Sequence, residues 1–204
     1  TIYQISKTIK KALFIQQNSQ RKKNLLILLE SRCNFRIFVE IFKTHLYWCH
    51  TLLDTLTTKK HIKAMVILVL NCGSSSIKYQ VLDVMEQSQT LLAKGLVERI
   101  GLAEGDLTHK PQGKDKFELH CPIPDHTTGI RLVLDALTHA EHGVIKSLDE
   151  LKAAGHRVAH GGEFFTDSCL VDDEVKAKIE SLYSIAPLHN PANLEGILSM
   201  EKVL

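Results

Sequence analysis

The clearest chemistry in this chain gathers around one turn, where Asn71, Ser74, Ser76 and Lys78 lie within Val66-Ile-Leu-Val-Leu-Asn71-Cys-Gly-Ser-Ser-Ser-Ile-Lys78-Tyr-Gln-Val-Leu82. A turn of this composition offers clustered backbone N–H groups, three hydroxyls and a cation to an anionic ligand. Transfer of a phosphoryl group depends on positioning and charge neutralisation more than on covalent work by the protein. Lys78 is a point charge suited to a phosphate. Asn71 comes directly after an apolar run, so its amide is held at a fixed point, where it could orient water on Mg²⁺ or touch a phosphate. The segment is not a Walker loop, which lacks the serine run and opens into a helix. Taken alone, the turn is equally an ordinary hairpin end, because glycine and serine are common turn residues.

A second constellation is Gly155-His156-Arg157-Val-Ala-His160-Gly161-Gly162. Alternation sets His156, Val158 and His160 on one strand face and Arg157 and Ala159 on the other. An arginine on a short strand beside a Gly-Gly turn can reach a cleft and clamp a carboxylate in bidentate fashion. The small Ala159 leaves room for a substrate methyl. The plainer reading makes Arg157 a partner for an acidic side chain and His156 and His160 structural. Two histidines without a third ligand are weak evidence for a metal. The third segment, Ala186-Pro187-Leu188-His189-Asn190-Pro191, puts a titratable His189 just before a helix start. His139-Ala-Glu-His142 reads as a solvated helix end, and Asp172-Asp-Glu174 as compensation of a helix dipole.

The surrounding pattern supplies elements to hold these groups. Residues 66–70 read as a strand buried on both sides. Ile77, Tyr79 and Val81 alternate with Lys78 and Gln80 in a half-buried partner strand. After Gln87-Ser-Gln a third strand spans 90–100 with Gly95 at its centre. Residues 101–116 read as a turn or exposed hairpin tip, and 117–121 as a short strand. A helix is expected from Asp125 or Thr127, with Ile130, Val133, Leu134 and Leu137 inward. A capping box of Ser147 and Glu150 predicts a shorter helix stopped at Gly155, and then a brief strand over 156–160. Asp172 to Glu174 open a helix with Val175, Ile179 and Leu182 inward. Asn190 and Pro191 form an N-cap and N1 pair for a last helix with Leu194, Ile197 and Leu198 inward. Strands first as a meander, then alternating with helices, predict an α/β fold: a mixed sheet with helices against it.

Residues 1–64 differ in kind. All 11 Gly and all 5 Pro lie after Met65. The leader holds 12 Lys+Arg against 3 Asp+Glu, and the remainder 13 against 20, so the overall charge of +2 hides two unlike parts. Its basic clusters at Lys10-Lys11 and Arg21-Lys22-Lys23, and its apolar patches over 25–29 and 35–47, show little periodicity and predict no fold. The leader reads best as sequence outside the functional fold, carried in ahead of a start at Met65. An organelle transit peptide and an arm for a membrane surface or nucleic acid are the other readings. Five scattered cysteines without a CxxC pair argue against a disulfide framework or zinc cage and suit a reducing, cytoplasmic setting.

Four segments in order, Asn71-Cys-Gly-Ser-Ser-Ser-Ile-Lys-Tyr-Gln80, Gly95-Leu-Val-Glu-Arg-Ile-Gly101, Gly155-His-Arg-Val-Ala-His-Gly-Gly162 and Ala186-Pro-Leu-His-Asn-Pro191, resemble the acetate kinase family. The resemblance covers residues 65–204 and none of 1–64, and Met65 falls where the family's proteins normally begin. It implies the fold of the actin- and hexokinase-like ATPases and reversible, ATP-dependent phosphorylation of acetate to acetyl phosphate with Mg²⁺. By residue, it implies Asn71 near the metal, with Lys78, Ser74 and Ser76 serving the nucleotide phosphates. Arg157 would hold the acetate carboxylate, Ala159 would line the methyl pocket, and His189 would lie near the reacting groups. Propionate kinase is the near alternative, since one methylene is resolved only modestly by a pocket. A non-catalytic nucleotide- or partner-binding module with a basic arm is the alternative of another class. Acetate and ATP are the expected partners, with no nucleic acid or membrane, and a homodimer is expected of the full-length protein. The resemblance implies family members about twice as long as the matched stretch. A catalytic aspartate would come on a strand beyond Leu204, and the other catalytic groups further on. The expectation is therefore an N-terminal part, lacking its second domain and inactive alone.

Overall fold

The computed structural model describes residues 65–84, 88–165 and 168–204, and the backbone of 24–29. The leader's basic clusters, its patch at 35–47, Gln87, Cys33 and Cys49 lie outside the described residues. The strands are β1 (Asn24–Leu29), β2 (Met65–Cys72), β3 (Ser76–Val84), β4 (Gln89–Glu98), β5 (Gly105–Pro111), β6 (Phe117–Cys121), β7 (Leu151–Val158) and β8 (Cys169–Leu170). They form one mixed sheet in the order β6-β5-β4-β3-β2-β7-β1-β8. From β2 to β6 the chain runs as an antiparallel meander. β7 then lies parallel to β2, and β1 parallel to β7. The helices are α1 (His126–Thr138), α2 (Asp173–Ser181) and α3 (Asn190–Val203). No helix among the described residues is long and apolar enough to cross a membrane.

Register sorts the side chains of β2, β3 and β7 between two faces. Leu68 pairs with Val81 and with Ala154, and Leu70 with Tyr79 and with His156. These residues lie under α1 and α3, in a core with Ile130, Val133, Leu137 and Met200. Ile67 pairs with Leu82, Val69 with Gln80 and Gly155, and Asn71 with Lys78, so these project from the other face. β2 is buried on both sides over Ile67–Leu70, as its continuous apolar run requires. α1 and α2 begin where expected. Asp125 accepts a hydrogen bond from Thr128 N at 2.7 Å, and Asp172 from Val175 N at 2.8 Å. Caps of this kind contribute about 1 kcal/mol each.

Several expectations are corrected. The capping box at Ser147 and Glu150 forms, but it closes only a 3₁₀ turn over Leu148–Glu150. The chain then enters β7, and Gly155 lies inside that strand rather than stopping a helix. The slot between β2 and β1 holds an extended segment, and that pairing outweighs the local helix signal. The polar stretch expected as a hairpin tip contains β5, whose buried positions are Gly105, Leu107, His109 and Pro111. At the last helix His189, not Asn190, is the N-cap. His142 is only half exposed: it stacks on Phe117 at 4.7 Å and on His139 at 4.9 Å between ring centroids. Within the leader, for which no fold was expected, Asn24–Leu29 pairs along β7 from Ala153 to Val158.

Candidate functional site at the ends of β2 and β7

Two loops meet where the parallel strands β2 and β7 end. The first closes tightly after Cys72, with Gly73 N donating to Ser76 O at 2.7 Å. Gly73 suits that closure, because a Cβ there would stand 3.3 Å from Ser76 Oγ and the serine side chain would have to shift slightly. Ile100 N holds the turn from the far side by donating to Ser75 O at 3.1 Å. Ser74 and Ser75 are exposed. Among the described residues their N–H groups have no backbone partner. Lys78 is exposed and forms no ion pair among the described residues. Since Asn71 and Lys78 are a register pair, and Ser76 is two residues from Lys78, all three side chains leave the sheet on the same face.

Arg157 emerges on that face as well. His156 pairs with Leu70 on the helix side, so the next residue points the opposite way, as Asn71 does on the neighbouring strand. The alternative reading of Arg157 as half of an internal ion pair finds no partner carboxylate among the described residues. Among the described residues its buried Nε finds no hydrogen bond. Ala159, just past β7, is buried, and its N–H donates to Asn193 Oδ1 at 2.9 Å. The Gly161-Gly162 turn requires its glycines: a Cβ on Gly161 would meet Phe165 O at 2.6 Å, and Gly162 has φ +58°. His189 is exposed at the start of α3, beside the exposed Leu188 and Ile185.

The two histidines of β7 and its loop have separate settings. His156 is 1% exposed on the helix side, and burial lowers its pKa to about 3, so the ring is neutral. His160 Nδ1 accepts from Gly162 N at 3.0 Å. Among the described residues no three His, Cys, Asp or Glu side chains are grouped to hold a metal. Cys72, between Asn71 and Gly73, is an inert thiol: burial, and then the charge of Glu195, raise its pKa to about 12.

Three side chains hold these loops from the helix side: His126 and Asn193, which the local pattern did not mark, and Asn190, which it marked only as a helix start. His126 Nε2 lies 2.7 Å from Gly73 O. The carbonyl can only accept, so Nε2 carries the proton. Asn193 Nδ2 donates to Cys72 O at 2.6 Å. Asn190 accepts from His160 N at 3.1 Å and donates to His160 O at 2.9 Å. A signal existed: Asn190, Asn193, Leu194 and Ile197 share the inward stripe of α3, and a buried amide on an apolar stripe implies a specific partner.

The family model described as the acetokinase family matches residues 66–204. An acetate kinase of Thermoanaerobacter pseudethanolicus is 52% identical over 140 residues, which are 69% of this chain and 34% of that protein. The crystal structure of Porphyromonas gingivalis acetate kinase superposes with a TM-score of 0.66 at 43% identity, over 69% of this chain and 35% of that one. A propionate kinase from Francisella tularensis gives 0.59 at 32% identity, over 68% and 34%. The chain thus spans about a third of the length of these relatives, so they exceed the matched stretch nearly threefold rather than twofold. The mixed sheet with helices against it is that of the actin- and hexokinase-like ATPases, represented in part. With all four motifs on the matched stretch, this chain belongs to the acetokinase family.

Proposed function

We propose that residues 65–204 are the N-terminal part of an ATP-dependent acetate kinase, with the leader outside the functional unit except for the strand it lends to the edge of β7. One observation carries the reading. Arg157, with no partner carboxylate among the described residues, leaves the sheet on the same face and at the same end as Asn71, Ser76 and Lys78. A cation left unpaired against a phosphate-sized turn fits a cleft that takes two anions.

In this reading Ser74, Ser76 and Lys78 bind the phosphates of ATP, using free N–H groups, hydroxyls and one point charge. Arg157 grips the acetate carboxylate in its planar fork and fixes which oxygen faces the γ-phosphorus. Ala159 lines the space for the methyl group, and His189 reaches the same mouth from α3. A carboxylate oxygen bonds to the γ-phosphorus as the bond to the β–γ bridging oxygen breaks, leaving acetyl phosphate and ADP. The step runs equally in reverse. Asn71 provides a single neutral amide oxygen, and among the described residues no cage of acidic side chains surrounds it. That donor set fits Mg²⁺ carried largely by phosphate oxygens and water, with Asn71 touching the ion or one of its waters. Bound there, Mg²⁺ would neutralise charge on the transferring group.

Propionate kinase is the second reading, favoured by the Francisella relative and by the small Ala159. Calorimetric titration of the full chain with MgATP, acetate and propionate tests both. Binding of MgATP and of one short acid is expected, together with no formation of acyl phosphate, because two thirds of the relatives' length is not in this chain. An absence of MgATP binding refutes the nucleotide assignment, and clear turnover refutes the expected inactivity.

A further inference from the structure

We infer that Asn193 is a positioning residue whose single amide fixes the phosphate turn against the acid-binding loop. Its Nδ2 donates to the carbonyl of Cys72, the last residue of β2 before the turn, at 2.6 Å. Its Oδ1 accepts from the N–H of Ala159, the first residue after β7, at 2.9 Å. The amide thus spans two backbone groups at the ends of strands that are neighbours in the sheet but far apart in sequence. The side chain is 3% exposed, so water does not compete for either bond.

β-Ladder bonding between β2 and β7 stops at Leu70 and His156, so beyond that point the sheet no longer sets the spacing of the two ends. Asn193 takes over where the ladder stops. Its neighbours support both arms. His126 holds the next carbonyl of the turn, Gly73 O, and Asn190 holds both backbone groups of His160. Of these three side chains, Asn193 alone touches both loops. Its backbone is set in turn by donation from its N–H to His189 O at 2.9 Å, in the first turn of α3. Two anions that must meet within bonding distance need their holders fixed to a fraction of an ångström, and a rigid, fully bonded amide supplies this.

The inference rests on the functional reading for its purpose but not for its geometry, so its test has a ligand-free arm. In amide-resolved NMR of the full chain, Asn193→Asp keeps an acceptor for Ala159 N–H and places an oxygen against Cys72 O. The amides of Gly73, Ser74 and Ser75 should shift, while those of β4 and β5 stay unchanged. MgATP should bind at least tenfold more weakly, and acetate less affected. Asn193→Ala should shift both loops and weaken both ligands. In the wild-type chain the Asn193 side-chain amide protons should exchange with solvent far more slowly than those of an exposed asparagine. This last readout decides the geometry if either variant fails to fold. Solvent-rate exchange of those protons overturns the inference, as does an Asn193→Asp protein with an unmoved turn and unchanged MgATP affinity. If the wild-type chain binds no MgATP, the functional reading falls, and the exchange and shift data still judge the amide bridge.

Discussion

Along β7, His156 and Arg157 are adjacent in sequence but meet opposite conditions. His156 lies with Leu68, Leu70, Cys72 and Ala154 under α1 and α3. On that side the polar groups around the strand ends are committed to backbone: Asn193 to Cys72 and Ala159, Asn190 to His160, His126 to Gly73. Arg157 lies on the other side with Asn71 and Lys78, and among the described residues neither cation has a partner carboxylate. Among the described residues the helix side has settled its hydrogen bonds apart from His156 Nε2, which is buried without a partner, whereas the cations of the opposite side lack carboxylates. Stability should therefore reside mainly on the first, and ligand affinity on the second.

Substitutions that separate the two quantities can break this division. The largest effect is expected on the helix side of the sheet, where the Tyr79 ring lies across Gly95. A Cβ on Gly95 would sit 2.3 Å from Tyr79 Cζ. Gly95→Ala must displace a ring that is 1% exposed and whose hydroxyl donates to His109 Nδ1 at 2.7 Å. Overpacking and the lost bond together should cost about 3 kcal/mol, read as a lowered midpoint in urea unfolding. Next, Arg157→Ala should weaken acetate binding about 100-fold, in line with the loss of a charge-assisted fork. Its unfolding midpoint should stay level or rise, because a charge with a buried Nε and no partner carboxylate among the described residues is removed. A large loss of stability here would show that Arg157 belongs to the structural side after all.

Lys78→Ala sharpens the contrast further. The side chain is exposed, so stability should be unchanged while MgATP affinity falls about tenfold. The last contrast is a pH slope. His156 has a folded pKa of about 3 against 6.5 for the free group, because burial disfavours its charged form. Between those values the unfolded chain binds a proton that the folded chain refuses. Stability should fall as pH drops from about 6.5 towards 3, by up to about 1.4 kcal/mol per pH unit from this group, and should not depend on it above that window. His109, whose pKa is lowered chiefly by burial, acts in the same direction. Urea unfolding of wild type and His156→Leu across pH 4 to 7 should show a shallower acid limb in the variant.

One side of this division was more legible in the sequence than the other. Asn71, Lys78 and Arg157 stood out because a strand's two-residue period and a Gly-Ser turn declare which groups share a face. The caps Asp125 and Asp172 were legible because their partners are three residues away. Asn193 and His126 were not, since their partners Cys72 and Gly73 lie 121 and 53 residues distant. Asn190 was recognised as a helix-start residue, but its amide serves His160 in another loop. β5 escaped because Gly105, His109 and Pro111 occupy positions where an apolar alternation was sought. The capping box at Ser147 was read correctly as a local bond and wrongly as a helix, because the open slot beside β2 draws residues 151–158 into the sheet.

The central claim is that the phosphate turn and Arg157 serve one cleft. It is tested most directly by titrating the full chain with ATP and Mn²⁺ in place of Mg²⁺ while observing the acetate methyl resonance. The account predicts strong paramagnetic broadening of bound acetate that disappears in Arg157→Ala and weakens in Lys78→Ala. Acetate that binds without broadening, or broadens equally in Arg157→Ala, would place the two ligands apart and contradict it.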